Sequence, residues 1–161
     1  MGLTASQGAR KTRWIAAVGI ACVMEAFAAE PIGTGVVFSA EQTEQSAKAQ
    51  SMLEIGAPPY WTPSEVEIQR LESALPAFLK RSDGAAKIAR NLRSYRRQYF
   101  GYSNHGDKWV LVNGFCEEYW KENASWRNNA VVVYDGGDCY FRVRYQISTA
   151  NFAGLDINGE S

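Results

Sequence analysis

Two cysteines, Cys116 and Cys139, sit inside the stretch from Lys108 to Asn158, where short β-branched and aromatic runs alternate with turn residues. A chain that alternates this way and crosses itself once covalently has few options. It folds as a compact antiparallel sheet pinned by one bridge. The bridge would close a 23-residue separation, and in the chain-entropy picture it stabilises the fold by about 3 kcal/mol. A zinc site is the rival reading, but two cysteines that far apart without nearby histidines fit no zinc spacing.

The oxidation state of the pair depends on the compartment. The N-terminal residues carry that information. Arg10, Lys11 and Arg13 form a positive region, Trp14 to Met24 is an apolar run, and Ala26-Phe27-Ala28 offers small residues for cleavage before Ala29. This reads as a secretory signal peptide over residues 1–28, and the run is short for a bilayer core of about 30 Å. The expectation is export, periplasmic or secreted, with no stable membrane insertion after cleavage. A lipidated Cys22 is the alternative, but Gly19 stands where such signals want a leucine-like residue and the apolar run continues past Cys22. Cleavage removes three basic residues and one acidic, leaving 14 and 16, a net charge of −2. That balance leaves no electrostatic footprint for nucleic acid.

Residues 29–59 are expected to be a flexible extension. Their centre, SAEQTEQSAKAQS, suits a helix but offers no apolar stripe to hold one to a core. Residues 60–161 are expected to form a single domain. Thr62-Pro63-Ser64-Glu65 opens a helix, with Thr62 as N-cap, Pro63 in the first position and Glu65 reaching back. Ile68, Leu71, Leu75, Phe78 and Leu79 make one apolar face. Pro76 interrupts it and should bend the helix near residue 72. Asp83-Gly84 ends it, and a short second helix spans Ala85 to Leu92.

The period then changes to two. Strands are expected over Ser94 to Ser103, Lys108 to Cys116, Ala130 to Tyr134, Cys139 to Gln146 and Phe152 to Asn158. A turn at Asn104-His105-Gly106-Asp107, a 13-residue loop from Glu117 to Asn129 and a hairpin at Asp135-Gly136-Gly137-Asp138 join them. In the fourth run Cys139, Phe141, Val143 and Tyr145 alternate with Tyr140, Arg142, Arg144 and Gln146, one face for a core and one for water. The fold class is α+β: an amphipathic helix and a short second helix on one face of a four- to five-stranded antiparallel meander.

The segment DGGDCYFRVRYQISTANFAGLDINGES resembles the C-terminal end of a family of uncharacterised exported proteobacterial proteins. There a Gly-Gly turn leads into Cys-aromatic-Phe and the last strand ends in Asn-Gly. The matching positions are Gly136, Gly137, Cys139, Tyr140, Phe141, Asn158 and Gly159, and the signal peptide and the YWTPSE helix start fit too. The resemblance spans roughly residues 60–161 and implies export without an assigned activity. In architecture alone the chain is similar to cystatin-like and PepSY-like domains, which bind or inhibit proteases, although none of their inhibitory loop motifs is present.

No catalytic pattern or cofactor motif is found. The one histidine, His105, lies in a turn, and Glu117 and Glu118 are adjacent, so on a strand they would face opposite ways. Binding residues are therefore sought on the surface. Trp120 and Trp126, in the long polar loop, are candidate anchors for a protein partner or stacking plates for a cell-wall sugar, against the alternative that both close the end of the core. Arg142 and Arg144 are a candidate cationic patch, against ordinary solvated arginines. A small exported protein-binding module, inhibitor-like in the sharper version, is the favoured reading, and no enzyme activity is assigned. The alternatives are a carbohydrate or cell-wall binder, and a small-ligand carrier or enzyme with a helix–sheet pocket using Tyr99, Tyr102 or Tyr140 as polar handles.

Overall fold

The computed structural model describes Met1 and residues 35–159. The expected signal peptide, Met1 apart, and the first residues of the expected extension lie outside the described residues. The fold is α+β, with a mixed sheet of mostly antiparallel strands and one disulfide.

In chain order the elements are β1 Gly35–Val37, α1 Ala40–Ala49, β2 Tyr60–Trp61, α2 Glu65–Arg81, α3 Ala86–Asn91, β3 Arg96–Asn104, β4 Asp107–Phe115, α4 Glu117–Glu122, β5 Tyr140–Gln146 and β6 Asn151–Ile157. The sheet runs β1-β3-β4-β5-β6, and β2 also pairs with β3. The four long strands form an antiparallel meander. β1 joins β3 in parallel at Arg97–Tyr99, while β2 joins it antiparallel at Gly101 and Tyr102. The two short strands thus share one edge. Gly101 permits it, because any Cβ there would strike the carbonyl of Trp61.

The helix α2 behaves as its periodicity predicts. Ile68, Leu71, Leu75 and Leu79 are fully buried against Val110, Val112, Phe141, Val143 and Tyr145, and Leu155 and Ile157 pack at the margin. Fully burying such a side chain contributes roughly 2 kcal/mol. The cap lies two residues later than expected: Ser64, not Thr62, is the N-cap, and Glu67 reaches back to its amide at 2.7 Å. The Thr62 hydroxyl instead accepts from Ala40 N–H at 2.9 Å, tying the start of α1 to that of α2. Helix α2 runs through Pro76 without ending.

Three expectations fail. Residues 35–59 are not a flexible tether: Val36, Phe38, Leu53 and Ile55 are buried. The anchors flank α1 rather than lying on it, so no stripe shows in the helix. It is held by a Ser39–Gln42 capping box, a Glu44–Lys48 pair and a small buried face of Thr43 and Ser46. The second failure follows from the first, since the far face of the sheet is covered too. Phe100, Leu111 and Phe115 meet that N-terminal segment together with Trp126 and Val131, forming a second core.

Third, residues Ala130 to Tyr134 are not a strand, and β5 pairs with β4 directly. Their backbone groups are satisfied by side chains. Gln98, fully buried, accepts from Val131 N–H and donates to the carbonyls of Trp126 and Asn129. Asn113 donates to the Val131 carbonyl and Asn158 to that of Val133. The expected Asp135–Asp138 hairpin is a tight turn with Gly136 and Gly137 at positive φ. The chain between β4 and β5 is therefore one long excursion from Cys116 to Cys139, closed at its neck by the disulfide.

Candidate functional site

The neck of the excursion is where the last rung of the β4–β5 ladder, Phe115 opposite Tyr140, gives way to the disulfide. The Cα atoms of Cys116 and Cys139 are 4.8 Å apart, and Cys116 N–H donates to the Cys139 carbonyl at 2.8 Å. Cys116 is buried and Cys139 half-buried. Beside the bridge lies an open cleft of about 430 Å³, lined by Lys87 and Asn91 of α3, by Tyr95, by Glu117 and Glu118 at the start of α4, and by Asp138.

Its polar groups are largely tied to one another. Lys87 pairs with Asp138 at 2.9 Å, and Glu117 pairs with Lys121. The Tyr95 hydroxyl donates to the Asp138 carbonyl at 2.7 Å. Burial, then the negative charges of Asp138 and Glu118, push the Tyr95 phenol up to about 12. Among the described residues, Glu118 has no hydrogen bond or ion pair to its carboxylate. Tyr140, also lining this end of the sheet, meets Tyr119 edge-on with ring centres 5.6 Å apart. The excursion carries Tyr134, 70% exposed, two residues before the Gly136 turn at the cleft's rim.

The residues singled out from sequence are not gathered into one site. Trp126 is a core residue, 3% exposed and edge-on to Phe115 at 5.6 Å, so it is not available as an anchor or stacking plate. Trp120 is part-buried. Its indole N–H donates to the Ser94 carbonyl at 2.8 Å, and the Arg96 guanidinium covers one face of the ring at 4.3 Å. The loop that carries both tryptophans is largely helical, as α4 and a 3-10 turn over Ala124–Arg127.

Arg142 and Arg144 do not form an open cationic patch. Arg142 donates to the Met52 carbonyl at 2.7 Å and pairs with Asp156; Arg144 donates to the Glu54 carbonyl at 3.2 Å and to the Glu54 carboxylate at 3.4 Å. Two arginines one strand-period apart strap the 52–54 segment across the sheet. The strap was not visible in the sequence, because Met52 and Glu54 are each 90 residues from their arginine in the chain.

The space between α2 and the sheet is filled by the packed side chains of the first core. Tyr99 there is fully buried and donates to Glu72 at 2.8 Å. Arg97, also buried, pairs with the other Glu72 oxygen at 2.7 Å. Burial works against the Arg97 charge, and Tyr99 and Glu72 together more than offset it. His105 sits at the opposite end of β4 from the disulfide, exposed in a two-residue turn at positive φ. Sequence reasoning passed over Tyr134 and Lys87, and set Glu118 aside with Glu117 as adjacent residues that would face opposite ways on a strand. The only local signal was the spacing Cys116-x-Glu118.

No described helix is long and apolar enough to cross a membrane. No family model, curated protein or solved structure matches this chain.

Proposed function

We propose that the protein is a small exported interaction module that binds another protein through the disulfide end of its sheet. The observation that carries this reading is the pairing of a rigid cleft with an exposed tyrosine. The excursion holding Tyr134 is fixed by a covalent neck, by buried Gln98 and Asn113 and by half-buried Asn158, so the ring projects from a pre-ordered surface. Binding residues on loops held by a rigid scaffold are a common arrangement, and tyrosine is enriched among residues that anchor protein partners. Export, and membership of the exported proteobacterial family that the Gly136-to-Phe141 segment resembles, belong to the same proposal.

Site-specific photo-crosslinking in the native host tests it. A crosslinker at position 134 or 118 should give a discrete protein adduct, and one at Gln69 on the outer side of α2 should not. Tyr134→Ala should abolish the adduct made from position 118. Equal labelling from position 69, or no adduct at 134, overturns the reading.

A further inference from the structure

We propose that reduction of the Cys116–Cys139 bond converts the neck of the excursion into a three-ligand site for a thiophilic divalent cation, with Zn²⁺ the expected occupant. This goes beyond the interaction reading and does not rest on it. Among the described residues, one group of cysteine, histidine and carboxylate ligands comes together: one donor atom each from Cys116, Glu118 and Cys139, all within 4.8 Å of one another. Two thiolates and a carboxylate with an open fourth position match the donor set of an accessible zinc site, and thiolates favour zinc over magnesium or calcium.

The geometry does not depend on the covalent bond. Phe115 and Tyr140 remain opposite each other in the β4–β5 ladder, and Cys116 N–H remains on the Cys139 carbonyl. Tyr95 holds the Asp138 carbonyl next door. The backbone therefore keeps the sulfurs together when the bond between them is gone. The Glu118 carboxylate is exposed and has no competing partner among the described residues, so it is available to turn inward. The adjoining cleft of about 430 Å³ admits the cation and a water as fourth ligand. The 23-residue separation hid this from motif reading, because the fold, not the spacing, supplies Cys139.

The chemistry balances with a dithiol as reductant. Its two thiols supply two electrons and two protons, its own disulfide forms, and the protein's bond opens to two thiols. Cation binding releases those two thiol protons to solvent. Two thiolates, one carboxylate and a divalent cation then carry a single net negative charge.

The test uses the full chain, oxidised and reduced, with Co²⁺ as the spectroscopic probe and Zn²⁺ affinity read by competition with a chromophoric chelator. The reduced protein should keep its near-ultraviolet circular dichroism. It should take up one equivalent of Co²⁺ with a thiolate charge-transfer band, while the oxidised protein takes none. Glu118→Gln should weaken Zn²⁺ binding at least tenfold, the loss expected when a ligand or its support is removed. Glu117→Gln should leave binding unchanged, and Cys116→Ser/Cys139→Ser, which retains Cys22, should show no thiolate band. The proposal fails if reduction abolishes the dichroism, if the reduced protein shows no thiolate band, or if Glu118→Gln binds as tightly as the parent.

Discussion

Gln98 has no charge and no solvent exposure, yet it organises the second core. Its amide donates to two carbonyls, at 2.6 and 2.7 Å, and its oxygen accepts from Val131 N–H at 2.9 Å and from Asn113 at 3.0 Å. Replacing it with leucine of similar size would leave these groups buried and unpaired, at about 3 kcal/mol in total. Gln98→Leu should therefore lower the unfolding free energy by that amount, seen as a lower urea midpoint at unchanged slope, and raise proteolytic cleavage within residues 124–133. Unchanged stability would mean that the excursion is held some other way.

Tyr95 gives a pH prediction. Its phenol is pushed up to about 12 from the ordinary value near 10. Between those values the unfolded chain has lost the proton and the folded one retains it. Stability is therefore complete below pH 10 and falls as pH rises toward 12. Tyr99, Tyr102, Tyr140 and Tyr145 are shifted the same way, burial being the leading cause in each. Tyr95→Phe should make the alkaline fall shallower by up to one proton, measured as unfolding free energy against pH. An equally steep fall in the variant would count against the assignment.

At the scale of elements, the instructive pair is α2 and the strap over residues 52–54. Helix α2 was legible because its whole apolar face lies within one run, Ile68 to Leu79. The alternation in β4 and β5 was legible for the same reason. The strap was not, because Leu53 and Ile55 are isolated apolar residues whose burial depends on arginines from β5. A polar sequence such as that of α1 reads as solvated when its supports lie outside its own span. The same blindness hid the covered second face: alternation told which residues point together, not what lies above them. Arg142→Ala with Arg144→Ala should loosen this cover. Charged hydrogen bonds to carbonyls contribute about 1.5 to 3 kcal/mol each, and these guanidiniums are partly exposed, so the pair should cost about 2 kcal/mol. The readout is faster amide exchange at residues 51–56 with little change at β4. Uniform acceleration throughout the sheet would show that the strap is not an independent unit.

For the whole molecule, the question is what the disulfide does once the excursion has its own supports. The crosslink constrains the unfolded chain over 23 residues, which the chain-entropy relation values at about 3 kcal/mol. The folded state has other ties across the same neck: the Phe115–Tyr140 rung, the Cys116–Cys139 backbone bond and the Trp126 and Val131 anchors in the second core. A Cys116→Ser/Cys139→Ser protein should therefore be less stable by about 3 kcal/mol while keeping the parent's near-ultraviolet dichroism. Its denaturant slope should be larger, because an uncrosslinked chain exposes more surface when it unfolds. A different dichroism before any denaturant is added would show that the bridge shapes the native structure itself, and that the cleft beside it exists only in the oxidised protein.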